Sequence, residues 1–563
     1  MISGVVALTL SPMMSAKLLD EKIEHHWLPT RINATFEKLR NAYARVLDSA
    51  LSVRPAVYMV WVMLTLLTIP MWMFSANELA PTEDQGIIFG IAEASANSTI
   101  DQTRKFSHAA HDLFMEVPER KFVFQHTGSN SGFAGLVLAP WSERERTAFE
   151  IMPQLHAKLA QIPGIQMFPA MPSALPGGGQ LPVEFIIAST ADVKDILEIA
   201  EQIRTKVMAS GKWPVMLIDV KIDQPQSELV IDRNKVAALG LNLQQIGADV
   251  SAMIGGNYVN RFSIDGRSYK VIPQVQRASR LNPDQIEDIY VTGPNNQLIP
   301  LSTVASIRST TQPRSLNRFQ QLNSVKLTAA YMGPLDEALR TLEDEAAQVL
   351  PKGYVIDYTG ESRQLRQEGG SKFGQTMLLA LALIFLVLAA QFNSFRDPFI
   401  ILLGSVPLAM FGALLFTFIK MPMSTIPFWT DGFSTSLNIY SKIGLVTLIG
   451  LIAKNGILIV EFANVLQREG KSKLAAVREA SLTRLRPILM TSAATIAGHF
   501  PLTLVTGAGA AARNSIGLVL VGGIAVGTFF TLFVVPALYM LIAKDHSAGQ
   551  PTKTVQPATQ AAH

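Results

Sequence analysis

The feature that most constrains this chain is a set of long apolar runs without a charged side chain: Pro55 to Asn77, Phe373 to Phe395, Pro398 to Ile419, Pro487 to Ala512 and Asn514 to Ala543. A bilayer core about 30 Å thick is crossed by roughly 20 apolar residues in helical form, so each run is expected to span a membrane. A sixth, Ile443 to Phe462, has the length but carries Lys454 inside it and Glu461 near its end. Residues 1–16 are uncharged and lead to Lys17, which fits the closing part of another span. A secretory signal would need a basic start, which Met1, Ile2, Ser3 and Gly4 do not supply. Composition agrees, with 48% hydrophobic and 16% charged residues against about 25% charged in soluble domains.

The spans can be oriented from the basic residues between them, because retained loops are enriched in Lys and Arg. Segments 17–54, 393–397, 463–486 and 544–563 hold 16 of them, whereas segments 420–442 and 507–513 hold 3. The first set is therefore expected in the cytoplasm and the second outside, together with residues 78–370. Asp20 to Leu51 places Phe36, Leu39, Tyr43, Val46 and Leu47 near helical spacing, as in a helix lying along the cytoplasmic membrane surface; a solvated connector is the alternative. The Thr-, Gln-, Ala- and Pro-rich end after Lys544 reads as disordered.

The long exported segment reads as α+β. Residues 86–93, 121–127, 183–188 and 215–222 have strand character, and residues 98–117, 147–161, 193–210 and 335–350 have helical character. Repeated strand–helix–strand units of this kind point to ferredoxin-like subdomains. From Pro225 to Asn323 the pattern changes to short strands and turns, with Asp265-Gly266 between two strand-like runs and a second turn cluster at Gly293, Pro294, Asn295 and Asn296. Asp-Gly there is a strong hairpin signal, since both residues accept positive φ. This predicts an inserted module with a projecting hairpin suited to contact another subunit.

Lys454 carries the chemistry. A charge in mid-membrane costs about 2.5–3.5 kcal/mol on insertion scales and calls for a named partner. A carboxylate is the natural one, and a carboxylate that takes up a proton would release the lysine, which makes a proton switch. Glu461 lies seven residues away, roughly 10 Å along the axis, and no other span holds a deep Asp or Glu. The acidic partner is therefore expected from outside this chain.

The string from Gly450 to Ala463 around Lys454 resembles the tenth membrane helix of AcrB-like pumps, the hydrophobe/amphiphile efflux family of the resistance-nodulation-division (RND) superfamily. Arg484 to Ser492 resembles the start of the family's eleventh helix, Thr506 to Asn514 the turn into the twelfth, and Pro81 to Gly86 the passage from the seventh into the periplasmic domain. The resemblance runs from about residue 1 to 544. It implies an inner-membrane, proton-driven pump for drugs and other amphiphiles, a homotrimer docked to a periplasmic adaptor and an outer-membrane channel. It also implies that Lys454, Arg484 and Thr491 are proton-relay positions working against an aspartate pair on the family's fourth helix. Gly132, Phe133 and Gly135 resemble part of the switch loop lining the drug pocket, although Gly128 to Trp141 is several residues shorter than that loop. The five preceding helices and the aspartate pair lie outside this chain, so alone it is expected not to transport. It reads as a fragment or truncated frame, a non-transporting remnant, or one half of a split pump needing a partner polypeptide.

The expected architecture is a helical membrane bundle of six full spans plus a partial one, with a large periplasmic α+β domain of ferredoxin-like subdomains and an inserted β-rich docking module. Its divisions are a partial span 1–18, a cytoplasmic connector 19–54, a span 55–77, porter subdomains 78–224, the docking module 225–323, a return to the porter 324–370, five spans in 371–544 and a tail 545–563.

Other signals are weaker. No Gly-x4-Gly-Lys-Ser/Thr string occurs, so the proton motive force, and no cofactor, is the expected energy source. Gly507 to Ala512 fits a dinucleotide fingerprint in form but follows a membrane helix, not a strand. Met152, Met167 and Met171 could ligate a soft metal, yet irregular core filling explains them. His499 reads as interfacial, as do His25 and His26, which have no third ligand nearby. A net charge of +4 does not argue for nucleic acid, and with no cysteine there is no disulfide framework. Without the family match, Arg484 would pass as a cytoplasmic anchor, Thr491 as a helix residue bonded to its own backbone and Phe133 as core.

Overall fold

The computed structural model describes residues 2–18, 27–75, 77–179, 181–368, 371–418 and 436–545. His25, His26, the outer connection 419–435 and the tail from 546 lie outside the described residues.

The chain opens with three helices, α1 (Ile2–Leu18), α2 (Trp27–Ser52) and α3 (Arg54–Met73). The segment expected as a surface helix or a solvated connector is helical as α2, and one stripe of it buries Tyr43, Leu47 and Leu51 against the bundle while Leu39 and Val46 stay exposed. Arg54 and Pro55 open α3, Pro at the first turn losing no helical bond.

Two βαββαβ units follow. The first comprises β1 (Ile87–Ala94), α4 (Ile100–Met115), β2 (Arg120–Thr127), β3 (Ser131–Leu138), α5 (Ala148–Leu159) and β4 (Ile165–Ala170), with antiparallel sheet order β2-β3-β1-β4. Thr99 caps α4, and the Thr147 and Glu150 capping box starts α5. One sheet face packs on these helices through Ile88, Leu136, Phe114, Ile151 and Leu155. The second unit begins with β5 (Val183–Ser189), α6 (Val193–Met208) and β6 (Val215–Ile218). Before it continues, the inserted module intervenes: β7 (Gln224–Ile231), α7 (Arg233–Ala238), α8 (Leu243–Met253), β8 (Asn260–Ile264), β9 (Arg267–Val271), β10 (Tyr290–Thr292), β11 (Leu298–Pro300) and β12 (Ala305–Gln312). Then β13 (Arg318–Phe319), β14 (Leu322–Ala330), α9 (Leu335–Val349) and β15 (Tyr354–Tyr358) complete the unit. In its sheet β14 lies between β5 and β6, and β15 pairs with the other edge of β5. Both units thus have the split βαβ, ferredoxin-like connectivity.

The inserted module has a small core of its own around Val236, Ile246, Val291, Leu301 and Val304. Its β8–β9 hairpin turns at Asp265 and Gly266, with φ of 49° and 75°, and every residue of both strands is exposed. This is the projecting hairpin expected from Asp-Gly.

The chain returns through α10 (Gly360–Glu368) to α11 (Ser371–Phe392), α12 (Arg396–Phe418), α13 (Ile439–Arg468), α14 (Lys473–Thr503) and α15 (Ala510–Ile542). Among the described residues five helices, α3, α11, α12, α13 and α15, are long and apolar enough to cross a membrane. The run expected from Pro487 to Ala512 belongs to α14, which starts earlier, at Lys473, and ends at Thr503 before a break at Gly507 and Gly509, with φ of 97° and 70°. Its first half is charged, so length alone does not make it as apolar as the others. The helices α12, α13 and α15 bury 67%, 56% and 61% of their apolar windows, while α3 and α11 bury 11% and 6% and form the periphery. Close approach of α12 and α15 rests on glycine, since a Cβ on Gly522 would meet the Gly412 carbonyl oxygen at 2.9 Å.

Candidate functional site

Lys454 lies mid-way along α13, a helix started by the Asn438 side chain, which accepts from the Ser441 amide, and stopped before Gly470 at a φ of 98°. Its Nζ donates to Thr495 Oγ1 on α14 at 3.1 Å, and Thr495 donates on to the Thr491 carbonyl at 2.7 Å. His499 Nδ1 lies 2.7 Å from the Thr495 carbonyl, so this nitrogen carries the proton. Thr491, expected as a relay position, donates to the Ile488 carbonyl at 3.2 Å and has no hydrogen bond to Lys454 among the described residues. The residue that bonds Lys454 is one turn further on, and Thr495 was not singled out by sequence because a threonine in an apolar helix gives no distinctive signal. Arg484 lies eleven residues before Thr495, roughly 16 Å down the axis. Its guanidinium covers the Phe462 ring at 4.6 Å and its Nε is buried without a hydrogen bond among the described residues. Lys454 and Arg484 are therefore on one side of the α13–α14 pair but not in contact.

Among the described residues no carboxylate comes within ion-pair distance of Lys454, and Glu461 is exposed. The α14 face beside Lys454, carrying Thr491, Ala494 and Gly498, is exposed as well. On the opposite side, towards α15, Asn455 Nδ2 donates to Thr528 Oγ1 at 3.1 Å, and Thr528 donates to Ser492 Oγ at 3.1 Å, all three residues being buried. A second buried layer joins Asp397, Asn464, Tyr539 and Gln467, with Asn464 Nδ2 donating to Asp397 Oδ2 at 3.1 Å and Tyr539 to Asn464 Oδ1 at 2.6 Å. Such layers fix which faces of α12, α13 and α15 meet, because slipping them would strand buried polar groups.

The second group of expected residues lies in the first βαββαβ unit. Gly132, Phe133 and Gly135 are in strand β3, not in a loop: Phe133 pairs with Ile91 of β1, and Gly135 with Phe89. The hairpin from β2 to β3 closes at Gly128, leaving no segment for a long switch loop, in keeping with the shortness of Gly128 to Trp141. The sheet face away from the helices is aromatic. Phe133 stands 5.0 Å from Phe89 and 5.9 Å from Phe124, ring to ring. An open cavity of about 440 Å³ lies against Phe89, Ile91, Phe133, Met171 and Leu175 and is also lined by Gly177 to Gly179. Gly132 and Gly135 do not line it. A Cβ on Gly135 would come 2.2 Å from Phe124 Cε1, so Gly135 is there to let the Phe124 ring lie across the strand.

Comparison with known proteins decides what the helices and the two units belong to. The sequence profile described as the AcrB/AcrD/AcrF family matches residues 1–543. The chain belongs to this family. It is 39% identical over 553 residues to an uncharacterized transporter of Haemophilus influenzae, covering 97% of this chain and 53% of that protein. It is 29% identical to the multidrug/solvent efflux pump membrane transporter MepB of Pseudomonas putida, covering 99% of this chain and 54% of the pump. Identity to the multidrug export protein AcrF of Escherichia coli is also 29%, over 96% of this chain and 53% of AcrF. The chain thus spans about half the length of the curated relatives it matches.

In this AcrB-family chain the string from Pro81 to Gly86 is where the membrane helices meet the first unit, and its two acidic side chains point to different neighbours. Glu83 accepts from the Ala512 amide at the start of α15, at 3.0 Å. Asp84 accepts from the Ala148 amide at the start of α5, at 2.7 Å, and from Arg144 Nη1 at 3.0 Å, with both side chains of that pair 1% exposed. Arg144 in turn lies 4.5 Å from the centre of the Trp141 ring. One short extended segment thereby ties a membrane helix to the unit that carries Phe133.

Proposed function

We propose that this chain is the C-terminal half of a proton-driven RND efflux pump of the bacterial inner membrane, taking drugs and other amphiphilic compounds from the periplasm or outer leaflet toward an outer-membrane channel. The observation that carries the proposal is Lys454, held by Thr495 beside an exposed helix face with no carboxylate in ion-pair reach among the described residues. A buried-span lysine in that setting is half of an ion switch, and a second membrane bundle supplying an acidic pair on that face would complete it. The relatives named as efflux pumps are about twice as long, which leaves room for that bundle. In this reading Lys454 exchanges its carboxylate partner for Thr495 when the carboxylate takes up a proton. Arg484 keeps the cytoplasmic end of the path positive, and Thr491 offers its carbonyl to Thr495. The aromatic cavity at Phe133 receives the apolar body of the cargo. The exposed β8–β9 hairpin serves assembly as a trimer with its periplasmic adaptor and channel.

The test is Lys454→Ala in the full-length assembly, with insertion checked by expression in the membrane fraction. Loss of drug extrusion from protein that still inserts is expected; undiminished extrusion would defeat the role. Thr495→Ala separates this geometry from the alternative at Thr491, because it removes the bonded hydroxyl and is expected to impair extrusion more than Thr491→Ala does. If this polypeptide is one half of a split pump, extrusion requires co-expression with a separate N-terminal half; a remnant stays inactive with it.

A further inference from the structure

Between β4 and β5 the chain forms a loop, residues 171–179, that is one wall of the Phe133 cavity, to which it gives Met171, Ser173, Leu175 and Gly177 to Gly179. The same loop rests on two glutamates, Glu184 of β5 and Glu361 of α10. Glu361 Oε1 is hydrogen-bonded to the Ser173 hydroxyl. Glu184 accepts from Thr359 Oγ1 at 2.6 Å and lies 3.7 Å from Lys326 Nζ. Glycines let the backbone come this close to the carboxyl groups. A Cβ on Gly178 would lie 3.1 Å from Glu361 Oε1, and one on Gly360 would lie 2.8 Å from Glu184 Oε2 and 3.2 Å from the Gly179 nitrogen. The main chain of Ser173 is anchored as well, its carbonyl accepting from Gln85 Nε2 at 3.0 Å.

A count of protons distinguishes two states of this contact. The Ser173 hydroxyl has one proton and two oxygens in reach, Glu361 Oε1 and the Leu175 carbonyl oxygen at 2.9 Å. With Glu361 ionised, one of the two contacts sets oxygens together with no proton between them. With Glu361 protonated, the acid donates to Ser173 Oγ, Ser173 donates to the Leu175 carbonyl, and both bonds are made at once. The surroundings favour this second state. Glu361 is half-buried, and burial holds its carboxyl above the ordinary range, opposed by the Ser173 bond and helped by the acidic Glu184 and Glu78. Of the basic groups around it, Arg366 pairs with Asp336 and Glu343, and Arg363 lies 5.9 Å from the centre of the Phe319 ring. Lys326 is turned to Glu184, and Lys372 and Lys442 line a groove together with Glu78.

We propose, resting on the reading of the Phe133 cavity as the cargo site, that Glu361 is a positioning residue for that cavity: a proton-controlled latch that holds loop 171–179 in place when protonated and releases it when ionised. On ionisation the carboxylate draws the hydroxyl proton away from the Leu175 carbonyl and stands against Glu184, so the loop loses its fixed place and the cavity its wall.

The chain has no cysteine, so Ala174→Cys gives a unique attachment point for a nitroxide on the loop. Spin-label mobility is read on the detergent-purified full chain while pH is raised from the ordinary carboxyl range to neutral. The label is expected to be ordered at the acid end and to become mobile in one transition centred above that range. Glu361→Gln, whose amide donates to Ser173 without titrating, should stay ordered at every pH, and Glu361→Ala should be mobile at every pH. Glu184→Gln should keep the transition but move it toward the ordinary range. A control label at Ser263→Cys, in the exposed β8–β9 hairpin, should not respond. The latch is overturned by the absence of a transition in the unaltered loop, by a loop that tightens as pH rises, or by a transition that survives in Glu361→Gln. It is equally overturned if Glu361→Gln is as mobile as Glu361→Ala, or if the control label responds as the loop does. No cargo is used, so the latch is judged on its own; the cavity reading fails separately, if Phe133→Ala in the full-length assembly leaves extrusion unchanged.

Discussion

Asp84→Ala is expected to destabilise the first βαββαβ unit more than any other single change at its base. The carboxylate accepts from Arg144 Nη1 at 3.0 Å, from the Ala148 amide at 2.7 Å and from the Gly86 amide at 2.8 Å. Removing it leaves a guanidinium in a position 1% exposed and two amides without their acceptor. Breaking a buried ion pair from one side costs about 3–5 kcal/mol, against a total stability of about 5–15 kcal/mol for an ordinary domain. The loss is thus a large fraction of what holds the unit. Hydrogen exchange of the full chain in detergent reads it locally, through peptides covering residues 84–90 and 144–152, where protection of the Gly86 and Ala148 amides should fall. Arg144→Met should cost less, because the carboxylate keeps its two backbone donors. The double variant Asp84→Ala/Arg144→Met should be more stable than Asp84→Ala alone, since no buried charge is left unpaired. Protection within about 1 kcal/mol of the unaltered chain in Asp84→Ala, or a double variant no better than the single one, would refute the reasoning.

The remaining predictions concern the same unit. Gly135→Ala places a Cβ 2.2 Å from Phe124 Cε1 and should destabilise the unit by about 1–3 kcal/mol as an overpacking change; Phe124→Ala in the same chain should relieve the clash, and thermal unfolding of the pair checks it. Arg146 holds the Glu119 carboxyl below its ordinary value through bonds of 2.6 and 2.7 Å. A depressed carboxyl stabilises the folded state above its ordinary value and loses that contribution as pH falls through the lowered one. Glu119→Gln should therefore unfold earlier than the unaltered chain at neutral pH, and the gap in thermal midpoint should close in acid.

Much of the outline was legible in the sequence, and particular elements show why. Apolar run length placed α3, α11, α12 and α15 to within about four residues and found the middle of α13, which runs four residues earlier and six later than the apolar run, because crossing a bilayer fixes a minimum length that sequence displays directly. The Asp265-Gly266 hairpin was equally plain, since the turn needs positive φ and those residues supply it. The ends of α14 were not legible: its first half, from Lys473, is charged and its helix is stabilised by burial of Ala476, Val477 and Ala480 in the bundle, which a search for apolar runs ignores. Strand β3 was read as loop because Ser131, Gly132, Ala134 and Gly135 have low strand propensity. Pairing on both sides, with β1 and β2, overrides that preference.

The same division holds for the sites. Sequence by itself determined that Lys454 lies inside a long apolar run and that the other runs hold no deep Asp or Glu, because both are read directly from the charges along those runs. Tertiary structure alone decided that Thr495, not Thr491, receives the Lys454 proton donor, that Gly135 makes room for Phe124, and that Ser173 and Glu361, 188 positions apart, share one hydrogen bond. Each of these is a relation between side chains on different elements, set by the rotation and offset with which helices and strands pack, and a linear pattern carries no record of either.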